Sequence, residues 1–342
     1  MEVTRIITIN DVAKEAGVSI TTVSRVLNNN YPVKEDTKNR VKEVIKRLNY
    51  QPNQMARSLI TKKTRVIGIV VPGITNLFFP TIVENIDKYL KQEKYNILLC
   101  NTKGNSAEEE NLVNQLIQRQ VDGIIVMDPS EENLKSGYYE SLSNKVPLII
   151  IKGLTKDYKY NLICYDEVIG TEEAIRYLFN LNHKKIAFIR GEKSISYDIK
   201  EKVYKRMIKE NDVKYENIIT VGSGNSIDVV EKIEDKVNKL LRGDERPTAV
   251  VACNDLIAIG FINCCRKIGI DVPRDISVIG CDNTLIANIS YPKLTSIDLG
   301  ISSIGKVAGK EIINLIENKA CKRKKIILAT ELVIRESCRA IE

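Results

Sequence analysis

Histidine is almost missing from the 342 residues, with His183 alone, and tryptophan is missing altogether. A Ser-His-Asp triad or a histidine-bearing zinc centre has no parts to draw on, so neither hydrolytic catalysis nor a metal is expected. Cysteine occurs eight times, at Cys100, Cys164, Cys253, Cys264, Cys265, Cys281, Cys321 and Cys338, but never as a C-x-x-C pair. Scattered mostly through apolar runs, these read as buried reduced thiols. No stretch approaches the roughly 18 uninterrupted apolar residues of a membrane span, and the start, with Glu2, has no apolar leader, so a cytoplasmic protein is expected. The run Gly222-Ser223-Gly224-Asn225-Ser226-Ile227 begins like a dinucleotide-binding loop but places Ile227 where Gly or Ala is needed. No cofactor is expected from it, and the chain does not read as an enzyme.

Against these absences stand 43% hydrophobic residues, ample for a packed core, and a length that suits one small domain plus one large or split one. The net charge of +8 is distributed unevenly. Residues 1–65 carry 13 Lys and Arg against 6 Asp and Glu, a net of +7, while the remainder carries 39 against 38. The basic footprint therefore occupies the first fifth of the chain, where a polyanion would dock. A second basic cluster, Lys322 to Lys325, reads as a solvated loop between a helix and a strand IILATELVI.

Thr8 and Asp11 have the spacing of a capping box, followed by Val12, Ala13 and Ala16 on one face of a short helix that Gly17 ends. Ser19 can cap a second helix, Ile20 to Asn28. Its Val23, Val26 and Leu27 face inward, leaving Ile20, Thr21, Thr22, Ser24, Arg25 and Asn28 on the outer face. Val41, Val44, Ile45 and Leu48 mark a third helix from about Glu35 to Leu48. Two helices joined by a tight Gly turn, the second with a small polar outer face, suit the major groove, where a helix must pass between phosphates and still reach base edges. A plain three-helix bundle is the competing reading of the same periodicity.

TINDVAKEAGVSITTVSRVLNN (8–29) and YQPNQMARSLITKKT (50–64) together resemble the headpiece and hinge of the lactose-repressor/galactose-repressor (LacI/GalR) family. The resemblance implies that Ile20, Thr21 and Arg25 approach base edges. It implies that Thr8, Ser19, Thr22, Ser24, Asn28 and Asn53 hold phosphates. It also makes Leu59 an apolar wedge in the minor groove, with small Ala56 permitting close approach, on a hinge helix too short to be stable alone. A linker leucine packed on the large domain is the alternative for Leu59. Two positions depart from the pattern: Asn10, where relatives carry Tyr or Lys, and Lys34, in place of a Ser or Thr cap, which is expected to loosen the third helix by about 1 kcal/mol.

From Val66 onward β-rich runs (VIGIVV, YNILLC, GIIVM, PLIII, NLICY, KIAFI, NIITV, TAVVAC, ISVIG) alternate with amphipathic stretches of helix length, the pattern of parallel sheets with crossover helices. The fold class expected is α/β with a small all-α headpiece. The family resemblance, which runs on through VDGII, NHKKIAFIRG, RPTAVVACNDLIAIG, VPRDISVIGCDN and RES at 335–337, implies a type I periplasmic-binding-protein-like pair of doubly wound subdomains joined by three crossings. The expected division is a helix-turn-helix domain at 1–51, a hinge at 52–63, and an effector-binding and dimerisation domain at 64–342. The last is divided into about 64–164 with 294–324, and 165–293 with 325–342. In the resemblance His183 falls at a Gly-His step before a strand and is structural.

Ligands of open α/β sheets lie beyond the carboxyl ends of the strands. Asn254 follows TAVVAC and Asp282 follows ISVIGC, and both match effector-contacting positions of the family, with loop capping as the alternative for each. Phe78 and Phe79, in Asn76-Leu77-Phe78-Phe79, match an apolar wall of the cleft, although core packing suits either ring. Lys200 stands where the family has an arginine, with Val203 in place of a Gly before Tyr204. Ser223, Gly224 and Asn225 stand where an aromatic is common. A lysine cannot form the two-pronged arginine contact, so a carboxylate or vicinal-diol ligand is disfavoured. The expectation is a dimeric repressor of a pseudo-palindromic DNA operator, located with the nucleoid and modulated by a small molecule such as a sugar or by a protein co-regulator. The chain stops soon after RES, without an apolar heptad tail, which agrees with a dimer. A solute-binding protein of the same fold and a nucleotide-using α/β enzyme are the rivals.

Overall fold

The first helix, Ile9–Glu15, starts on a reciprocal cap in which the Thr8 backbone N–H donates to Asp11 Oδ2 (2.9 Å) and the Asp11 N–H to Thr8 Oγ1 (3.4 Å). Gly17 takes a φ of +62°, which turns the chain into Ser19, whose Oγ accepts the Thr22 N–H (3.2 Å) at the head of the helix Ile20–Asn28. The third helix, Glu35–Arg47, has no side-chain cap at Lys34. Val12, Ala13, Ala16, Val23, Val26, Val41 and Val44 bury one another, with Tyr50 closing the core from beyond the third helix. An Arg47–Glu15 ion pair (2.7 Å) joins the first and third helices at the surface, where such a pair is worth under about 1 kcal/mol.

The computed structural model describes residues 7–28, 31–51, 63–155, 158–192, 194–222, 224–243, 245–317 and 322–342. It divides into two units, Met1–Thr64 and Arg65–Glu342. The hinge positions Asn53, Ala56 and Leu59 lie outside the described residues.

The second unit holds twelve described strands: β1 (Val66–Val71), β2 (Asn96–Asn101), β3 (Gly123–Met127), β4 (Leu148–Gly153), β5 (Asn161–Tyr165), β6 (Ile186–Arg190), β7 (Asn217–Thr220), β8 (Ala249–Ala252), β9 (Ser277–Cys281), β10 (Thr295–Asp298), β11 (Lys325–Leu328) and β12 (Glu331–Val333). They form two six-stranded sheets, ordered β11-β5-β4-β3-β1-β2 and β12-β10-β9-β8-β6-β7. The described pairings are parallel except the antiparallel β10–β12 edge. Their Ile- and Val-rich central strands are buried on both faces, as parallel sheets under helices require.

All three expected crossings between subdomains fall elsewhere. β10 remains in the second sheet, so the chain returns to the first subdomain after Asp298 rather than at 294. β11 lies in the first sheet, so the last crossing follows Leu328 rather than 324, and Tyr165 likewise still belongs to the first sheet. The run IILATELVI is accordingly two strands, broken where Ala329 and Thr330 pass between sheets and Thr330 Oγ1 donates to the Asp166 carbonyl (2.9 Å). β11 is a half-buried edge strand and β10 a four-residue strand that buries polar Thr295 and Ser296, so the patterning of neither says which sheet it joins. Lys325 begins β11, leaving Lys322, Arg323 and Lys324 exposed in the loop.

The last long helix, Ile301–Glu317, lies against Phe78–Gln92 on the first subdomain. Gly305 and Gly309 make that approach possible, because a Cβ at Gly305 would stand 2.5 Å from Asn85 Cβ. His183 is buried, with Nδ1 3.0 Å from Thr248 Oγ1 and Nε2 3.0 Å from both Ser277 Oγ and the Arg339 carbonyl. Burial lowers its pKa, so the ring is a neutral strut for the C-terminal segment. The RES motif has a similar role: Arg335 reaches Asn283 Oδ1 (2.5 Å), while Ser337 Oγ accepts from Thr295 N (2.8 Å) and donates to the Val278 carbonyl (2.6 Å).

Candidate functional site

On the headpiece, burying Val23 and Val26 turns Ile20, Thr21 and Arg25 outward together, and the apolar Ile20 is 48% exposed. The Arg25 guanidinium lies over the Tyr31 ring, 5.1 Å from its centroid, a contact that offsets part of the cost of ordering a long exposed side chain. Thr8 and Ser19 stand exposed at two helix starts, where backbone N–H groups and the helix dipole favour anions. Ser19 Oγ lies 2.9 Å from Thr22 Oγ1, and Asn28 Nδ2 donates to the Ser24 carbonyl (2.9 Å) and reaches Ser24 Oγ (3.2 Å). The structure thus brings Ile20, Thr21, Thr22, Ser24, Arg25 and Asn28 onto one helix with Ser19 at its head. Tyr31 gave no signal in the sequence because it lies past the helix end, outside any periodic pattern.

In the large unit each sheet reverses its strand order once, between β1 and β3 in the first and between β6 and β8 in the second. The loops that leave these four strands diverge there and open a crevice. Asn76, Phe78 and Phe79 follow β1 and Asp128 follows β3. From the second sheet come Ser194, Tyr197 and Lys200 beyond β6, and Cys253 with Asn254 beyond β8. Together with Asp282 after β9 and Asn225 after β7, they surround a cavity of only about 20 Å³, roughly the room of one water molecule. Outside it the cleft widens to about 600 Å³, with Asp128, Ser194, Tyr197 and Asn225 shared between the two spaces.

The five expected contact residues therefore converge on one place, and their present partners are protein groups. Asn254 caps the helix Asp255–Lys267 by accepting the Ile257 N–H (2.9 Å), while its Nδ2 donates to Tyr197 Oη (3.0 Å) and the Gly224 carbonyl (2.8 Å). Lys200 is 3% exposed. It donates to the Cys253 carbonyl (3.1 Å) and stands 3.7 Å from Glu167, whose Oε1 also accepts from Ser196. Burial opposes the Lys200 charge, but the surrounding Cys281, Glu167 and Asp282 outweigh it and raise the pKa. Phe78 and Phe79 meet edge to face (5.1 Å) and Phe78 meets Tyr165 likewise (5.6 Å), so both rings belong to the core as well as the wall.

Asp282 is buried, at a φ of +105°, a strained value for a residue with a side chain. Burial pushes its carboxyl well above the ordinary range, against the pull of Lys200. Asp128 is pushed up to about 6 by burial and by Glu167. The sequence reading did not single out Asp128, Tyr197 or Asn225 as contacts. Asp128 and Asn225 could have been found by the same rule that found Asn254, since each comes within a few residues of a strand's end. Tyr197 lies one helical turn before Lys200. Among the described residues, no group of three or more His, Cys, Asp or Glu side chains is arranged to hold a metal, and no helix is long and apolar enough to cross a membrane. Five of the described cysteines are buried, and the thiols of Cys253 and Cys265 are pushed up to about 12 by burial.

Comparison with known proteins places both parts of the chain. Residues 8–53 match the bacterial regulatory proteins of the lacI family, and residues 175–338 match a periplasmic binding protein-like domain. The catabolite control protein A of Priestia megaterium is 34% identical over 335 residues, covering 97% of this chain and 99% of that protein. The HTH-type transcriptional repressor PurR of Vibrio vulnificus is 33% identical over 340 residues, covering 98% and 99%. The structure of the lac repressor dimer bound to operator and the anti-inducer ONPF superposes with a TM-score of 0.86 at 25% identity, covering 98% of this chain and all of that one.

Proposed function

The chain belongs to the LacI family of bacterial regulatory proteins, and from that premise we propose a cytoplasmic, nucleoid-associated repressor that binds a pseudo-palindromic DNA operator as a homodimer. It regulates transcription and is not an enzyme. One observation carries the operator reading. The helix Ile20–Asn28 turns a short-side-chained face outward, on which Arg25 alone offers a fork able to grip a guanine edge in two places. Ile20 and Thr21 supply contacts to neighbouring base edges. Thr8, Ser19, Thr22, Ser24, Asn28 and Asn53 hold phosphates and set the register. Leu59, flanked by Ala56, opens a minor-groove step.

Leu285 and Ile289, one turn apart on the helix Leu285–Ile289, and Tyr291 just beyond it are exposed apolar side chains of the second subdomain, 63%, 71% and 83% accessible, as at a contact surface. We assign it to the dimer, which places two recognition helices on successive half-sites. In the cleft, Phe78, Phe79, Lys200, Asn254 and Asp282 are the contacts proposed for a small effector such as a sugar or sugar derivative, whose binding changes operator affinity. The narrow inner cavity also favours a second reading, in which a protein co-regulator supplies the control. Selection of bound genomic fragments, followed by affinity measurement on the recovered site with and without added sugars, tests the proposal. Equal affinity for the recovered site and random duplex at moderate salt would sink it. A sugar at a hundred times its Kd stabilises the protein by about 2.7 kcal/mol in thermal melting; a protein co-regulator predicts no such response.

A further inference from the structure

The two departures of the cleft from the family pattern, the Gly224-Asn225 pair and Lys200, are the residues that occupy it. Asn225 arrives from the second subdomain and is held by the first: Asn76 Nδ2 donates to its Oδ1 (3.1 Å) and Thr75 Oγ1 to its carbonyl (3.3 Å). From its own side Tyr197 Oη donates to the same Oδ1 (2.9 Å), and that hydroxyl in turn accepts from Asn254 Nδ2 (3.0 Å). One side-chain oxygen thus gathers donors from both lips. Asn76 is itself held in place, since its Oδ1 accepts the Phe78 N–H (3.0 Å) and closes the turn at the head of the helix Phe78–Gln92.

We infer that Asn225 is a built-in occupant of the effector cleft, a positioning residue that links the two subdomains through Asn76, Thr75 and Tyr197. The inference rests on the reading of this cleft as the regulatory site and adds how that site is controlled. A small molecule can reach Asn254 and Lys200 only by displacing the Asn225 amide, and an incoming ligand has to offer Asn76 and Tyr197 an acceptor of equal quality. The inner cavity of this cleft is closed by default and a ligand acts by breaking the latch. Lys200 reinforces it, because its charge is already paired with Glu167 at 3.7 Å and does not call for an anionic ligand.

Hydrogen exchange on the full chain without DNA tests this. Asn225→Ala removes the acceptor while leaving the backbone, and Tyr197→Phe removes only the hydroxyl that relays it. Both variants should speed exchange about tenfold in the segments 74–80 and 224–230, the loss of about one good hydrogen bond, and leave β3 and β8 unchanged. Formamide, the amide that Asn225→Ala lacks, should slow those segments again in that variant and have no effect on them in the wild type. Unchanged rates in both variants overturn the inference. So does acceleration spread equally over β3 and β8, which would mean that Asn225 holds up the fold rather than the cleft. Because no operator is present, failure here leaves the DNA-binding reading untouched, and failure to find an operator leaves this measurement standing.

Discussion

Replacing Lys200 with methionine isolates the electrostatics of the cleft, because methionine keeps much of the volume and loses the charge. Lys200 and Glu167 are both almost wholly enclosed, 3.7 Å apart, and among the described residues Glu167 Oε2 has no hydrogen-bond partner. With the ammonium gone, Glu167 retains only the Ser196 hydroxyl, and the Cys253 carbonyl loses a donor. Breaking one side of a buried pair costs about 3–5 kcal/mol, most of it the expense of leaving the other charge unpaired. For a domain of this size that lowers Tm by roughly 10 °C. The double variant Lys200→Met/Glu167→Gln removes both charges and should recover at least half of the loss, which urea titration of the single and double variants measures. A single substitution costing less than about 1 kcal/mol would show that the pair is solvated and refute the reasoning.

Arg25→Ala should weaken operator binding by about 1–3 kcal/mol and lower affinity for random duplex far less, read by titration on both duplexes at fixed salt; equal losses would remove the base-reading role. Lys34→Ser supplies the missing cap of the helix Glu35–Arg47 and should stabilise the headpiece by about 1 kcal/mol in thermal melting, with no gain counting against the capping account. Ile289→Asp should convert the dimer to monomer in analytical ultracentrifugation at micromolar concentration, and an unchanged dimer would place the interface elsewhere. Asp128 titrates near 6 in the fold, above its ordinary 3.8, so the folded state holds a proton that the unfolded chain has released. The sign follows: its contribution to stability grows as pH falls from above 6 toward 4, and at pH 8 the half-buried charge is a burden. Asp128→Asn should therefore stabilise at pH 8 and do little at pH 4 in paired urea titrations, and a gain independent of pH would contradict this origin.

The headpiece was legible almost residue by residue, because short helices announce themselves through caps and a 3.6-residue period. Thr8, Gly17 and Ser19 punctuate the chain where the structure ends or starts a helix, and Val23, Val26, Val41 and Val44 pack as their spacing indicates. Tyr50 was not foreseen, since a single aromatic past a helix end has no period to belong to. The nine core strands of the large unit were visible as apolar runs. β10 and β11 were assigned to the wrong sheet, because Ser296 and Asp298 interrupt the apolar pattern of the first, the second runs on into β12 in one apolar stretch, and only pairing with a neighbour decides which sheet a short strand joins. In the cleft, position after a strand pointed to Asn254 and Asp282. Which hydrogen bonds Asn254 already makes depends on Tyr197 and Gly224, which approach only in three dimensions.

The same limit hides a constraint on Gly153. This residue ends β4 in the first subdomain, and nothing about its neighbours Lys152 and Leu154 explains a glycine there. A Cβ at Gly153 would run into the Glu167 carboxylate, the residue that starts the first helix after the chain crosses to the second subdomain. Glycine at 153, an acid at 167 and a lysine at 200 are thus one decision: the lysine needs the carboxylate, and the carboxylate needs the space. Gly153→Ala should accordingly push Glu167 away from Lys200 and cost at least 1 kcal/mol, as overpacking of an enclosed site does. Combined with Lys200→Met the loss should be smaller than the sum of the two, because the second substitution finds the pair already broken. Strict additivity in the urea midpoints of the four proteins would separate the glycine from the ion pair and leave its presence at the end of β4 without a cause.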